Sequence, residues 1–223
     1  MLKLEKTISP HLGEKILYAG SDIKKAESIM LLLHGRGAAA DSMFPLIDEL
    51  NADNMMFVVP QADHFTWYPY RFIEERQANE PGISSALILI HSIIKSLNDQ
   101  GISKEQIYLL GFSQGACLAA DYAARFPTKY AGVFVLSGGL IGKSVNLRDY
   151  TGNLDNTPVF LGCSTEDLHI PEDRVRESTQ IFEMLNADVT MKIYENLGHT
   201  INQDELDQIN NIIRLNVTEA HIK

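Results

Sequence analysis

At 223 residues the chain is long enough to bury a full sheet-and-helix core and suits one domain over 1–223. Its 45% hydrophobic and 22% charged residues are ordinary for a globular protein, and a formal net charge of −10 with no basic run argues against a nucleic-acid partner. The first six residues carry charges where an export signal needs an apolar centre, and no stretch approaches the roughly 20 apolar residues of a membrane span, so no integral membrane association and a cytoplasmic address are expected.

In chain order, residues up to about Tyr18 are expected to supply one or two edge strands. Ile29–Leu33 is a solid apolar run ending at His34 and Gly35, and Met55–Val59 is another, stopped by Pro60. After a long connection, Ile83, Ala86, Leu87, Ile90, Ile94 and Leu97 mark one face of a helix, with Gly101 where a C-terminal cap belongs. Ile107–Leu110 is the next apolar run. An alanine-rich helix follows from Gln114 to Phe126, stopped by Pro127. The runs 131–136, Pro158–Leu161 and Val189–Tyr194 then alternate with helical stretches at Glu172–Leu185 and Asp204–Leu215. Short runs apolar on both faces suit buried parallel strands. The alternation predicts an α/β fold: a mostly parallel, doubly wound sheet with helices on both faces and ligands at the carboxyl ends of its strands. Cys117 and Cys163 both fall inside apolar elements and are read as buried free thiols of a reducing compartment.

Gly111-Phe112-Ser113-Gln114-Gly115 fits G-x-S-x-G between a strand and a helix, the placement of the nucleophile elbow of α/β-hydrolases. The turn is so tight that side chains two residues before and after the serine would collide. A serine hydroxyl needs a histidine to take its proton, and the imidazole needs a carboxylate to hold its tautomer. In this fold the order is serine, acid, histidine, each just past a strand. Asp167 and His199 stand in those places. Glu166 is the alternative acid, whereas Asp149 and Asp155 precede their strand and would lie at the wrong end. His169 shares the Asp167 loop and reads as a solvated loop histidine, with an approach to the site as the alternative. His91 lies within a helix, and His11 and His221 near the termini carry no signal. Gly198 frees the backbone to turn His199 inward. One oxyanion donor is expected from the amide of Gln114 and a second from the glycine-rich loop 34–37.

Residues 32–37 (LLHGRG), 111–116 (GFSQGA), 167–171 (DLHIP) and 198–199 (GH) resemble the four signature blocks of the phospholipase/carboxylesterase family, over residues 28 to 212. The resemblance implies Ser113, Asp167 and His199 as a catalytic triad, Arg36 and Gln114 as backbone oxyanion donors, and no metal or organic cofactor. It implies a small-molecule ester or thioester substrate and admits a homodimer. Cys163 and Ser164 stand where eukaryotic acyl-protein thioesterases usually carry a second acid. Trp67-Tyr68-Pro69 replaces the family's common Trp-Phe/Tyr-Asp segment. Both departures lean toward a bacterial esterase. The leading expectation is therefore a carboxylesterase for small or medium acyl chains, with a thioesterase or lysophospholipase second and a catalytically silent binding protein third. The long connection 61–82 is rich in aromatics and is expected to line or cover the pocket, with Trp67 closest to the serine. The 137–141 segment, with Leu140, is expected to add apolar wall.

Overall fold

The computed structural model describes residues 2, 4 and 7–220. Seven strands form one sheet: β1 (Ile16–Gly20), β2 (Ser28–Leu33), β3 (Met55–Pro60), β4 (Ile107–Phe112), β5 (Gly132–Leu136), β6 (Pro158–Ser164) and β7 (Asp188–Tyr194). Their spatial order is β1-β3-β2-β4-β5-β6-β7, and every neighbouring pair is parallel except β1 with β3. Among the described residues only one edge strand precedes β2, and it runs two residues beyond Tyr18. Described residues 7–15 carry turns instead, in a segment interrupted by Pro10 and Gly13.

The helices are α1 (Phe44–Asp48), α2 (Gly82–Asn98), α3 (Gln114–Arg125), α4 (Glu172–Met184) and α5 (Gln203–Ala220). They cover both faces, which is why the central strands read as unbroken apolar runs. On β2, Ile29, Leu31 and Leu33 join the core beneath α2, α3 and α4. Met30 and Leu32, pointing the other way, join Met43 and the α5 residues Ile209 and Ile213. The edge strand β7 is only half-buried, and its composition is correspondingly mixed. No described helix is long and apolar enough to cross a membrane.

Register then sets where a site can form. Leu33 pairs with Gly111, Phe112 with Leu136, Leu136 with Gly162, and Ser164 with Tyr194. The strands therefore end together, and the loops after β2, β4, β6 and β7 meet along one edge. From β2 the chain steps outward to β3 and then returns to β4 on the other side. The crevice between the loops after β2 and β4 is thus the topological switch point, where open α/β sheets bind ligands.

Candidate active site

Ser113 sits between the last residue of β4 and the first of α3, with φ 56° and ψ −119°. A non-glycine residue held there costs on the order of 1–3 kcal/mol and persists only where its surroundings enforce it. Here the Ser113 amide donates to the Leu136 carbonyl at 2.9 Å, and the Ser113 carbonyl accepts from the Cys117 amide at 3.0 Å. The flanking glycines answer to close approach. A Cβ on Gly111 would run into the Gly115 carbonyl, and one on Gly115 into the Leu33 carbonyl. The small residues of α3 are what let the helix start so close to the strand edge.

The loops after β6 and β7 bring the two partners to this turn. His199 Nε2 lies 2.8 Å from Ser113 Oγ, and His199 Nδ1 lies 2.7 Å from Asp167 Oδ2. The other carboxylate oxygen of Asp167 accepts from the amides of His169 (2.8 Å) and Ile170 (3.0 Å). The Asp167 side chain is fully buried. Burial alone would push its pKa up, but the bond from His199 and the two amides outweigh it and hold the carboxyl below its usual range. An ionised carboxylate only accepts, so Nδ1 carries the imidazole proton and Nε2 keeps a lone pair toward the serine. Gly198, at φ 72°, turns the chain into His199. Ser164 Oγ accepts from Gly198 (3.0 Å) and from Glu166 (3.1 Å), tying the two loops together.

The competing residues take other roles, and of them His169 lies beside His199. Glu166 enters this network by its amide, while Asp149 and Asp155 are exposed ahead of β6. His91 pairs with the Tyr122 hydroxyl at 3.1 Å, and His221 lies outside the described residues. His169 stands edge-on to His199, with ring centroids 4.8 Å apart. His11 is a buried strut: Asp63 donates to its Nδ1 at 3.0 Å and its Nε2 faces the Trp67 carbonyl at 3.0 Å. Burial lowers its pKa.

Beside Ser113, the Gln114 amide belongs to the first turn of α3, whose N–H groups have no intrahelical partner. The loop after β2 lies directly alongside, since a Cβ on Gly35 would come 3.4 Å from Ser113 Cβ. Gly37 donates its amide to Phe65 at 2.7 Å, while Arg36, one residue earlier, lines the cavity at the serine. His34 shapes this loop from below. Its Nε2 accepts from the Ala62 amide at 3.1 Å, so the proton sits on Nδ1, which donates to the Gly35 carbonyl at 2.7 Å.

The 61–82 connection is pinned almost residue by residue. Gln114 Oε1 accepts from the Trp67 amide at 2.9 Å, and its Nε2 donates to the Tyr68 carbonyl at 2.7 Å. The Arg36 guanidinium donates to the carbonyls of Pro69 and Tyr70. Buried Asn79 accepts from the Tyr70 amide at 2.7 Å and donates to the Arg71 carbonyl at 3.0 Å. Gly142 donates to the Phe72 carbonyl at 2.8 Å. Long loops at functional sites are often mobile; this one is tied to three separate parts of the fold.

Ser113 and His199 face two cavities. One, about 490 Å³, is walled by residues 68–72 together with Arg36, His169 and Ile170. The other, about 340 Å³, is lined by Ala38, Met43, Leu46, Phe112 and Ile201. Two expected wall residues are absent from both. Trp67 is fully buried under the loop, its indole N–H donating to the His34 carbonyl at 2.9 Å, and Tyr68 takes the wall position instead. Leu140 is also fully buried, between the end of β5 and α4. Its amide donates to Ser178 Oγ at 2.9 Å and its carbonyl accepts from Arg174 at 2.9 Å. In both cases an apolar residue near the site is consumed by the core that supports it.

Cys117 lines the larger cavity and Cys163 lies behind Asp167. Burial pushes both thiols up to about 12, so neither is a thiolate near neutrality. Among the described residues no group of three or more His, Cys, Asp or Glu is placed to hold a metal. Beneath the corner, Glu205 on α5 is fully buried. Its Oε2 accepts from the Asn202 amide at 2.9 Å, while Asn202 Oδ1 accepts from the Glu205 amide at 2.9 Å, a reciprocal cap on the helix start. Its other oxygen is buried without a partner against Gly162 of β6. Burial raises this carboxyl to about 7. The Asn-x-x-Glu spacing was a signal for the cap. The struts at His11 and Asn79 leave no local signature.

The sequence profile of the phospholipase/carboxylesterase family matches residues 17–217. The crystal structure of a phospholipase/carboxylesterase from Dyadobacter fermentans is 39% identical, with a TM-score of 0.88 over 95% of this chain and 100% of that one. Acyl-protein thioesterase 1 of Kluyveromyces lactis is 30% identical over 210 residues, 85% of this chain and 92% of its own. The Bacillus cereus carboxylesterase shares the fold, with a TM-score of 0.74 at 20% identity over 92% of this chain and 95% of its own. With the profile spanning nearly the whole chain, this hydrolase belongs to the phospholipase/carboxylesterase family.

Proposed function

We propose that the protein is a serine esterase that cleaves carboxylic esters of small or medium acyl chains through an acyl-enzyme, with Ser113 as nucleophile, His199 as base and Asp167 as the acid that orients it. The observation that carries this reading is the unbroken run of hydrogen bonds from Ser113 Oγ through both nitrogens of His199 to Asp167. His199 Nε2 takes the hydroxyl proton as Oγ bonds to the substrate carbonyl carbon. The carbonyl electron pair moves onto oxygen, which the amides of Arg36 and Gln114 stabilise. Loss of one such donor typically costs about 2.7–4 kcal/mol. Collapse of the intermediate breaks the bond to the leaving group, which receives the proton from His199. Water, deprotonated by the same imidazole, then releases the acid. The two cavities support a substrate with its scissile bond at Ser113 and one substituent on each side.

The same machinery serves a thioester. The likeness to a protein named acyl-protein thioesterase 1 favours that second reading. Two buried, unbridged thiols support a reducing compartment such as the cytoplasm. A fluorophosphonate probe should label the wild type and leave Ser113→Ala unlabelled. That substitution should lower kcat on p-nitrophenyl butyrate on the order of 10⁶-fold. A variant that keeps its rate would end the assignment. Parallel assays with acyl-CoA and lysophospholipid rank the substrate classes.

A further inference from the structure

The larger cavity has a charge opposite to that of the protein around it. The chain carries a formal net charge of −10. Yet the charged side chains lining this cavity are Arg36 and Arg71, with no aspartate or glutamate. The two arginines are differently employed. Arg36 spends its guanidinium on the carbonyls of Pro69 and Tyr70. Arg71 has its backbone fixed, because its carbonyl accepts from buried Asn79 at 3.0 Å, but its guanidinium is nearly unused. It makes one long bond, 3.4 Å to the His169 carbonyl, and among the described residues it pairs with no carboxylate. By contrast Arg76, Arg125, Arg174 and Arg176 each pair with one. The smaller cavity shares Arg36, Ser113 and His199 with the larger but lacks Arg71; it adds Met43, Leu46, Phe112 and Ile201 and suits an uncharged, apolar substituent.

We propose that Arg71 selects substrates whose substituent in the larger cavity bears an anionic group, so that the preferred ester is apolar on one side of the scissile bond and negatively charged on the other. This rests on the serine-esterase reading above and adds the substrate class. The chemistry is that of a guanidinium with free donors: a planar fork matched to carboxylate or phosphate, positioned by a rigid wall and awaiting a partner. The net negative charge of the chain opposes non-specific attraction of such a substrate, whereas the arginines of the cavity attract it.

The test compares matched pairs. On the acyl side, p-nitrophenyl hydrogen glutarate is set against p-nitrophenyl methyl glutarate. On the alcohol side, 3-butanoyloxybenzoate is set against its methyl ester. A hydrogen bond to a charged group is worth about 1.5–3 kcal/mol, roughly 10- to 100-fold. In one of the two pairs, whichever places its charge in the larger cavity, the anionic member should be favoured about tenfold or more in kcat/KM. That ratio should collapse toward one in Arg71→Gln and shrink as ionic strength rises. 3-Butanoyloxyphenyl phosphate, set against 3-butanoyloxybenzoate, tells phosphate from carboxylate. Cleavage of all esters with no preference in either pair, or a preference that survives Arg71→Gln, would overturn the proposal while leaving the esterase reading intact. Failure to cleave the methyl esters as well would count against the esterase reading itself.

Discussion

The corner formed by Ser113, Asp167 and His199 and the wall formed by residues 68–72 border one crevice and are built by opposite means. In the corner, side chains meet side chains directly, on loops that are short because the strands end in register. In the wall, backbone meets remote side chains: Gln114, Arg36, Asn79 and His11 each hold carbonyls or amides of a chain with no regular structure of its own. Substitutions in the corner should therefore strike the chemistry and spare the fold. Those in the supports of the wall should strike stability first.

The sharpest way to test that division is Asp167→Asn. The amides of His169 and Ile170 can still be accepted by the amide oxygen, so the fold should persist, yet the imidazole loses the partner that sets its tautomer. The expected loss is about 10,000-fold in kcat with an unchanged thermal midpoint. A melt that drops steeply would show that the corner also carries stability. Trp67→Ala is the converse case. Removing a fully buried indole should lower stability by about 3–5 kcal/mol, read by denaturant titration. The acyl-length preference of whatever folded enzyme remains should be unaltered. A change in chain-length preference without loss of stability would return Trp67 to the pocket.

The smallest effect is one of pH and concerns the support under the corner. Glu205, raised by burial from 4.5 to about 7, binds its proton more tightly folded than unfolded. Stability is therefore lost as pH rises from about 4.5 through 7, by about 3 kcal/mol across the window. The charge of neighbouring Asp204 pushes in the same direction. Glu205→Gln should flatten that part of the stability–pH curve; an unchanged slope would mean that the carboxyl titrates normally.

Much of this was legible in the residues. The α/β alternation followed from where apolar runs begin and end, because strands covered on both faces cannot alternate. That Ser113, Asp167 and His199 meet could be expected because a strained strand-to-helix turn demands glycines at fixed offsets and because the proposed acid and base must follow later strand ends. Those are local requirements and leave local marks. Trp67 and Leu140 lie in the core and not in the expected pocket wall for the complementary reason: an aromatic or leucine near a site reads the same whether it faces the ligand or the core. Which way it points depends on His34, Ser178 and Arg174, up to 38 residues distant. Gln114, expected from the motif only to offer its backbone amide, anchors the wall with its side chain. Short-range geometry is written in spacing. Burial, the partner of a free guanidinium and the pinning of a loop are decided only when distant segments share one volume.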